Sequence, residues 1–203
     1  MSHIWFPLDM RLAEIGLLIA VLGLMLGALT WTRWGWSFDQ SLFWAINRRP
    51  PHPAVDWAMW SVTHFGSAWA GVGTLSFAFL VRHPRFGLVT SLAVLTVGIV
   101  IGVAKSLSQR PRPFAQLTGV RVVGLKPADL SYPSGHSAMA FNIATLLALG
   151  LPLNGIGRVA VYLVASAVAY SRLHLGVHYP SDVLSGAAVG TGWGLLWTSY
   201  LHR

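Results

Sequence analysis

This chain of 203 residues has no cysteine and few charged side chains. The absence of cysteine excludes disulfide bonds and thiol chemistry, and it removes the usual indication of a protein's redox compartment. Charged residues make up 10% of the chain, whereas 54% of it is hydrophobic and the mean hydropathy is +0.58. Because the apolar residues come in long blocks, the composition indicates an integral membrane protein instead of a water-soluble domain.

The net charge of +8 comes from 14 basic and 6 acidic residues. Such a balance can indicate a nucleic-acid partner, but here the basic residues lie at the ends of apolar blocks instead of along one face. Anionic lipid headgroups are therefore the partners that this pattern favours. Several tryptophans near block ends also fit an interfacial aromatic belt. The sequence predicts membrane lipids as partners and no nucleic acid.

Six apolar segments approach the length of about 20 residues that a membrane-spanning helix needs. They cover residues 12–31, 55–81, 86–107, 136–152, 156–173 and 182–201. A shorter segment, Phe38–Arg49, is predicted to lie along the membrane surface as an interfacial helix. The first residues are not expected to be a cleaved signal peptide, because Asp9 and Glu14 flank an apolar run that is too long. We predict an all-α polytopic membrane protein with one domain, residues 1–203.

Three polar segments interrupt the apolar sequence and carry its chemistry. They are Lys105–Pro113 (KSLSQRPRP), Tyr132–His136 (YPSGH) and Ser171–Asp182 (SRLHLGVHYPSD). With six spans, all three fall on the membrane face opposite the two termini. Ionisable groups are costly in hydrocarbon, and those that persist usually mark a functional site. Cations, a serine, two histidines and a carboxylate are residue types that phosphoryl chemistry uses.

The segment Tyr132–His136 is expected to open a helix. Ser134 is the predicted N-cap, and the backbone N–H groups that follow it form a natural anion site. Gly135 allows close approach of a phosphate, and His136 in the first turn can face that anion. The alternative interpretation is an ordinary serine cap with an incidental histidine.

The segment Lys105–Pro113 places two cations at the end of the third span. Arg112 can grip two phosphate oxygens with its planar guanidinium, while Lys105 supplies a point charge. The alternative interpretation is a basic stop at the membrane boundary.

The segment Ser171–Asp182 contains a histidine and a carboxylate four residues apart. Asp182 can accept a hydrogen bond from one ring nitrogen of His178, which leaves the other nitrogen free to attack phosphorus. Arg172 adds a third cation. His174 also precedes His178 by four residues, but Gly176 breaks the helix that a two-histidine metal site would need, so no metal site is predicted.

In this order, the three segments resemble the type 2 phosphatidic acid phosphatase family. The shared pattern is Lys, six residues, Arg-Pro; then Pro-Ser-Gly-His; then Ser-Arg, five residues, His, three residues, Asp. The positions that match are Lys105, Arg112-Pro113, Pro133–His136, Ser171-Arg172, His178 and Asp182. The motifs cover residues 105–182, and the six-span layout extends the resemblance over nearly the whole chain. Vanadium haloperoxidases share the motif, but they are soluble.

The resemblance implies a role for each matched residue. His178 would be the nucleophile that forms a phosphohistidine, Asp182 would hold and activate it, and His136 would protonate the leaving lipid oxygen. The phosphate-binding residues would be Lys105, Arg112, Ser134, Gly135 and Arg172. No metal or other cofactor is required on this resemblance, which agrees with the presence of only six carboxylates in the chain.

The expected activity is that of a membrane lipid phosphate phosphatase. The substrate that we expect is undecaprenyl pyrophosphate, cleaved to the monophosphate, with phosphatidylglycerophosphate or phosphatidic acid as the alternative. A lipid phosphotransferase and a non-catalytic lipid-binding protein are further alternatives. Lysine and arginine counts do not decide the orientation, so an extracytoplasmic site in a bacterial inner membrane rests on the resemblance. The sequence carries no signal about the oligomeric state.

Residues outside the motifs receive simpler interpretations. Arg121 and Lys126, in the long connection from Gln109 to Pro133, are interpreted either as contacts to a second phosphate or to lipid headgroups, or as a solvated loop. His174 is expected to line the site without acting in it, and Asp39 to cap or anchor the interfacial helix. The glycine pairs Gly23–Gly27, Gly98–Gly102 and Gly186–Gly190 are candidates for close helix contacts.

Overall fold

A computed structural model describes residues 7–30, 32–67, 70–74, 77 and 83–201. Within these ranges the protein consists of helices and loops without a β-strand. The helices are α1 (Pro7–Leu29), α2 (Arg33–Asn47), α3 (Pro53–Thr63), α4 (Pro84–Ser108), α5 (Pro113–Gln116), α6 (Gly135–Gly150), α7 (Gly155–His174) and α8 (Pro180–Thr198). The all-α class that the sequence predicts is confirmed.

Among the residues that the structure describes, three stretches are long and apolar enough to cross a membrane. They are Met10–Gly27, Pro84–Gln116 and Gly155–His174, which belong to α1, α4 with α5, and α7. The helices α6 and α8 coincide with two further predicted spans but do not belong to these three stretches. The predicted span 55–81 lies partly outside the described residues, so the count of six spans stays a prediction.

The interfacial segment forms a helix that is displaced from its predicted bounds. α2 begins at Arg33 because the side chain of Thr32 caps it by accepting a hydrogen bond from Gly35 N at 3.1 Å. It ends at Asn47, two residues before the predicted end. Its inward face buries Asp39, Phe43 and Asn47 against the rest of the protein, which ties this helix to the bundle.

Helix α8 lies at the centre of the bundle, where it packs against α1 and α6. The contact with α6 is close because α8 carries glycines there. A Cβ atom at Gly186 would lie 2.4 Å from the carbonyl oxygen of Ser134, and one at Gly190 would lie 2.1 Å from that of Ala138. The predicted close contact at Gly186–Gly190 is thus confirmed. At Gly98, by contrast, a Cβ atom would meet no described atom within 4 Å, so this position on α4 is open.

The long connection between α4 and α6 packs over the turn between α7 and α8. The N–H of Val123 donates to the carbonyl oxygen of Leu175 at 3.2 Å. The side-chain amide of Asn47 donates to the carbonyl of Arg121 at 2.8 Å and accepts from its N–H at 2.9 Å. These contacts cover residues 171–180, all of which are buried. The third polar segment is therefore held rigidly at one end of the bundle.

Candidate active site

The structure brings the three polar segments together at one end of the bundle. The N–H of Ser134, at the start of α6, donates to the carbonyl oxygen of Asp182 in α8 at 2.9 Å. Arg112 Nη1, just after α4, lies 3.1 Å from His178 Nε2 in the α7–α8 connection. The helix ends that meet here position every motif residue around one small volume.

His178 is enclosed, with only 1% of its side chain exposed. Its Nε2 faces the guanidinium of Arg112, which can only donate, so Nε2 is the acceptor. Its Nδ1 lies 3.5 Å from Asp182 Oδ2 and 3.5 Å from Ser131 Oγ. Burial, together with the positive charges of Arg112 and Arg172, holds the pKa of His178 well below its ordinary value. The ring is therefore neutral, with its proton on Nδ1 and a lone pair on Nε2.

Asp182 is fully buried, and both of its carboxylate oxygens are hydrogen-bonded. Oδ2 accepts from the hydroxyl of Ser131 at 2.5 Å and from the N–H of Tyr179 at 2.8 Å. Oδ1 accepts from Arg110 Nη1 at 2.6 Å. The hydroxyl proton of Ser131 points to Asp182, so both groups near His178 Nδ1 are acceptors. This arrangement fixes the ring orientation and favours the tautomer protonated at Nδ1.

Arg110 and Asp39 complete a network that the motifs do not contain. Arg110 Nη2 donates to Asp39 Oδ2 at 2.6 Å, and its guanidinium carbon lies 4.2 Å from the centroid of the Tyr179 ring. Asp39 also accepts from the N–H of Ser181 at 2.8 Å. Asp39 therefore anchors α2 to the start of α8, and through Arg110 it acts on Asp182. The sequence interpretation of Asp39 as an anchor for its own helix missed this link.

Lys105 and Arg112 hold an unexpected carboxylate between them. Asp129 Oδ2 lies 2.6 Å from Lys105 Nζ, and Asp129 Oδ1 lies 2.6 Å from Arg112 Nη2. Burial raises the pKa of Asp129, but the hydrogen bond from Lys105 and the charges of both cations outweigh it and lower the pKa to about 2. Asp129 is thus an anion that sits where the sequence places a phosphate.

Arg172 lies nearby with unused hydrogen-bonding capacity. Its side chain is buried, and Nη1 donates to Thr63 Oγ1 at 2.7 Å. Its Nε is buried and has no hydrogen-bond partner among the described residues. It is close enough to Arg112 and Asp129 to interact electrostatically with both. A buried donor of this kind would be satisfied by an anion bound in the site.

Ser134 caps α6 as predicted. Its hydroxyl oxygen accepts from the N–H of Ser137 at 3.4 Å and from the Ser137 hydroxyl at 3.0 Å. The side chain of Ser134 is fully buried and is hydrogen-bonded within the helix, so its predicted position as the N-cap is confirmed. A phosphate bound at Ser134 would lie at the N-terminus of α6, whose positive end faces the site.

His136 lies half-buried at one end of a cavity of about 220 Å³. The cavity is lined by Gly135 and Met139 of α6, by Gly98 of α4 and by Gly66. The ring of His136 makes no hydrogen bond within the described part of the chain. The charges of Arg172, Arg112 and Lys105 act on it, which places it at the edge of the cation cluster.

Arg121, His174 and Lys126 each have partners outside the motif residues. Arg121 Nη1 pairs with Asp56 at 2.8 Å, and His174 Nε2 lies 2.6 Å from Asp56 Oδ1. Lys126 Nζ lies 5.7 Å from the centroid of the Phe114 ring. Arg121 is therefore not a solvated loop residue, because Nη1 docks the loop onto Asp56. Its Nε and Nη2 are buried without a hydrogen-bond partner among the described residues, so its contact to a second phosphate or to lipid headgroups stays a prediction. His174 contacts the same carboxylate, and its place along the site also stays a prediction.

Comparison with protein families supports this assembly of residues. The model of the PAP2 superfamily matches residues 86–203, which include all the motif residues. The chain is 28% identical over 170 residues to an undecaprenyl-diphosphatase of Sulfolobus acidocaldarius, covering 81% of this chain and 77% of that one. It is 35% identical over 134 residues to a decaprenylphosphoryl-5-phosphoribose phosphatase of Mycobacterium tuberculosis, covering 64% and 71%.

A solved structure is also similar over nearly the whole length. It is the crystal structure of a transmembrane PAP2-type phosphatidylglycerolphosphate phosphatase from Bacillus subtilis. The TM-score is 0.77 with 25% sequence identity, and the match covers 91% of this chain and 94% of the other. The similarity therefore extends beyond the motifs to the arrangement of the helices around them.

Proposed function

This chain belongs to the PAP2 superfamily, and from that premise we propose that it hydrolyses a polyprenyl diphosphate lipid through a phosphohistidine on His178. Its relatives are phosphatases that act on lipid phosphates. The observation that carries the mechanism is the environment of His178. A neutral ring, protonated on Nδ1 beside Asp182, directs the Nε2 lone pair towards the cations that would hold the phosphate.

The reaction has two steps in this proposal. In the first, His178 Nε2 forms a bond to phosphorus while the bond from phosphorus to the leaving lipid oxygen breaks, and His136 gives that oxygen a proton. In the second, water attacks the phosphohistidine, the P–N bond breaks, and His136 takes the proton from water. Asp182 stabilises the positive charge that develops on the His178 ring during attack.

The cations supply the electrostatic part of catalysis. Lys105, Arg112 and Arg172 would hold the phosphate oxygens and stabilise the charge that develops in the transition state. The N-terminus of α6, with the backbone at Ser134 and Gly135, would add backbone donors. The buried, unpartnered Nε of Arg172 supports this role because it is a donor without an acceptor.

We propose six membrane spans, with α6 and α8 crossing together with the three stretches that are long enough alone. The second span would run from α3 through residues 70–74. The site then lies at the membrane surface opposite the termini, on the extracytoplasmic side of a bacterial inner membrane. The exposed tryptophans Trp34 and Trp57, which are 89% and 70% exposed, fit an interfacial position on that face.

The lipid tail would leave the site through the cavity beside His136. This cavity lies between α4 and α6 and is lined by His136, so in this proposal it would connect the leaving-group side of the site with the bilayer. A larger cavity of about 450 Å³ lies along the next turns of α6, where Ala140 and Ala144 face Val161 and Val164 of α7. A groove with apolar walls and small side chains suits a long hydrocarbon chain.

The path of the tail can be tested at Gly98. Gly98→Phe would place a ring at the wall of the cavity, where a Cβ atom meets no described atom within 4 Å. We expect kcat/KM on a long-chain lipid phosphate to fall by at least about tenfold, while hydrolysis of p-nitrophenyl phosphate is unchanged. Gly98→Ala controls for the loss of glycine. Gly73→Phe controls for bulk, since Gly73 is equally open and does not line the cavity. An unchanged rate on the lipid would exclude this path.

A polyprenyl lipid is the substrate class that the relatives' names support best, and the undecaprenyl-diphosphatase supports a diphosphate in particular. Two of the similar proteins are named for undecaprenyl and decaprenyl lipids. Phosphatidylglycerophosphate is the second candidate, because the structural similarity to the Bacillus subtilis enzyme covers 91% of this chain.

A lipid panel tests the choice of substrate. Purified protein would be given undecaprenyl pyrophosphate, phosphatidylglycerophosphate and phosphatidic acid at equal surface concentration, with release of inorganic phosphate as the readout. We expect the highest kcat/KM for the pyrophosphate. A clear preference for a glycerophospholipid would overturn the polyprenyl assignment. With a labelled donor lipid, transfer of the labelled phosphate to another lipid would identify a phosphotransferase.

A further inference from the structure

The carboxylate of Asp129 occupies the space between two of the cations that would bind substrate. Each of its oxygens takes one cation: Oδ2 lies 2.6 Å from Lys105 Nζ and Oδ1 lies 2.6 Å from Arg112 Nη2. Two oxygens of a phosphate would bind an ammonium and a guanidinium in the same manner. Most of the other donors of Arg112 are in use, since Nε binds the carbonyl of Asp129, and Nη1 binds that of Val177 and lies 3.1 Å from His178 Nε2.

We propose that Asp129 is an internal competitor for the phosphate site, which the substrate must displace and which raises the binding strength that any ligand needs to occupy the site. This inference rests on the proposed function. It assigns to a loop residue outside the three motifs a part in substrate binding.

The carboxylate is free to leave, because 57% of the Asp129 side chain is exposed. Residue 129 lies in the irregular stretch 117–134, and its carboxylate bonds only to Lys105 and Arg112 within the described chain. Rotation of this side chain therefore breaks two contacts and disturbs no helix.

The cations stay in position when the carboxylate leaves. Arg112 Nε still donates to the carbonyl of Asp129 at 2.7 Å, and Lys105 Nζ still donates to the carbonyl of Leu130. These contacts are made by the backbone and do not depend on the residue type at position 129. The Asp129 side chain therefore occupies the phosphate site, whereas backbone carbonyl groups hold the two cations in place.

Selection follows from the charge of the competing groups. Asp129 carries one negative charge, so a monoanionic phosphodiester gains little by replacing it. A phosphate dianion or the terminal phosphate of a diphosphate carries more charge and can also use the unpartnered Nε of Arg172. Because displacing Asp129 lowers the affinity of every ligand by the same factor, ordinary phospholipids, which are phosphodiesters and bind these cations more weakly, occupy the site less often.

Direct binding of inorganic phosphate tests this inference without turnover. Asp129→Asn keeps the size and the backbone contacts but removes the charge. Calorimetry in detergent should show phosphate binding to the variant about tenfold more tightly, which corresponds to an open site in about one tenth of wild-type molecules. Glu14→Gln removes one negative charge on α1, and its phosphate affinity should equal that of the wild type.

A second ligand tests whether the carboxylate must leave for every anion. Dimethyl phosphate, a monoanion, should bind more weakly than the phosphate dianion in both proteins and should gain the same factor of about ten from Asp129→Asn. Weaker or unchanged phosphate binding in Asp129→Asn, or no binding by either protein, would overturn the inference and make Asp129 a positioning residue at most. If the wild type hydrolyses lipid phosphates but the variant binds phosphate no better, the inference fails alone. If the wild type hydrolyses none of them, the proposed function fails.

Discussion

The two histidines of the site lie in opposite surroundings. On the nucleophile side, His178 is 1% exposed, and behind it Asp182 is bonded to Ser131, Tyr179 and Arg110. On the leaving-group side, His136 is half-buried beside a cavity of about 220 Å³. One side is fixed by hydrogen bonds between helices, and the other is left open by small side chains.

The difference follows from what each side must do. Attack on phosphorus requires a nucleophile that is held in a single orientation, so the nucleophile side is built from buried, hydrogen-bonded groups. The leaving lipid must enter and depart, so the other side has to keep free space. Substitutions on the nucleophile side should therefore slow every substrate alike, whereas those on the leaving-group side should depend on the leaving group.

The largest effect is expected at Asp182. Asp182→Asn removes the charge that holds His178 in the tautomer protonated at Nδ1, and kcat should fall by about 10³- to 10⁴-fold. The loss should be the same for a lipid phosphate and for p-nitrophenyl phosphate. A melting temperature close to that of the wild type would separate this loss from unfolding. A loss confined to the lipid phosphate would show that Asp182 acts on the leaving-group side of the site instead of on the nucleophile.

His136 should show the opposite dependence. His136→Gln removes the proton donor, and kcat/KM on a lipid phosphate, which does not include the second step, should fall by about 10²- to 10⁴-fold. p-Nitrophenolate leaves without protonation, so the loss on p-nitrophenyl phosphate should be much smaller. The ratio of the two losses is the measurement. Equal losses on both substrates would mean that His136 binds phosphate instead of protonating the leaving group.

A smaller effect is expected at Asp39, which touches no substrate. Asp39→Asn weakens the hold on Arg110, and through it on Asp182, so kcat should fall by about tenfold while KM is unchanged. Both substrates should be affected equally, as for Asp182→Asn. A rise in KM without a change in kcat would show that the Asp39–Arg110 pair supports binding instead of the nucleophile.

The nucleophile side also shows how far the sequence leads. The motif spacing identified His178, Asp182, Lys105 and Arg112, because family motifs record residues by position, and the structure brings these residues together. Asp39 was not linked to them, since it lies 71 residues from Arg110 and 142 from Ser181. Long-range ion pairs leave no periodic signal in a sequence. The chain has only six carboxylates, however, and this scarcity was an indication that Asp39 has a partner.

The helices were predicted better than their ends and the loop. Apolar blocks gave the positions of α4 and α7 within a few residues, because hydrophobicity determines membrane helices locally. The start of α2 depends on the Thr32 cap, which lies outside the apolar pattern. Asp129 and Arg121 lie in irregular backbone whose course depends on tertiary contacts, so their partners could not be read from the sequence.

The most direct test of a nucleophilic His178 is to trap its phosphorylated form. Wild-type protein would be mixed with a lipid diphosphate labelled with ³²P in its terminal phosphate, quenched in base, and examined for label bound to the protein. We predict a base-stable, acid-labile phosphoprotein that forms and decays at the rate of turnover. His178→Ala should show neither label nor phosphate release. Label or turnover that persists in His178→Ala would contradict the mechanism.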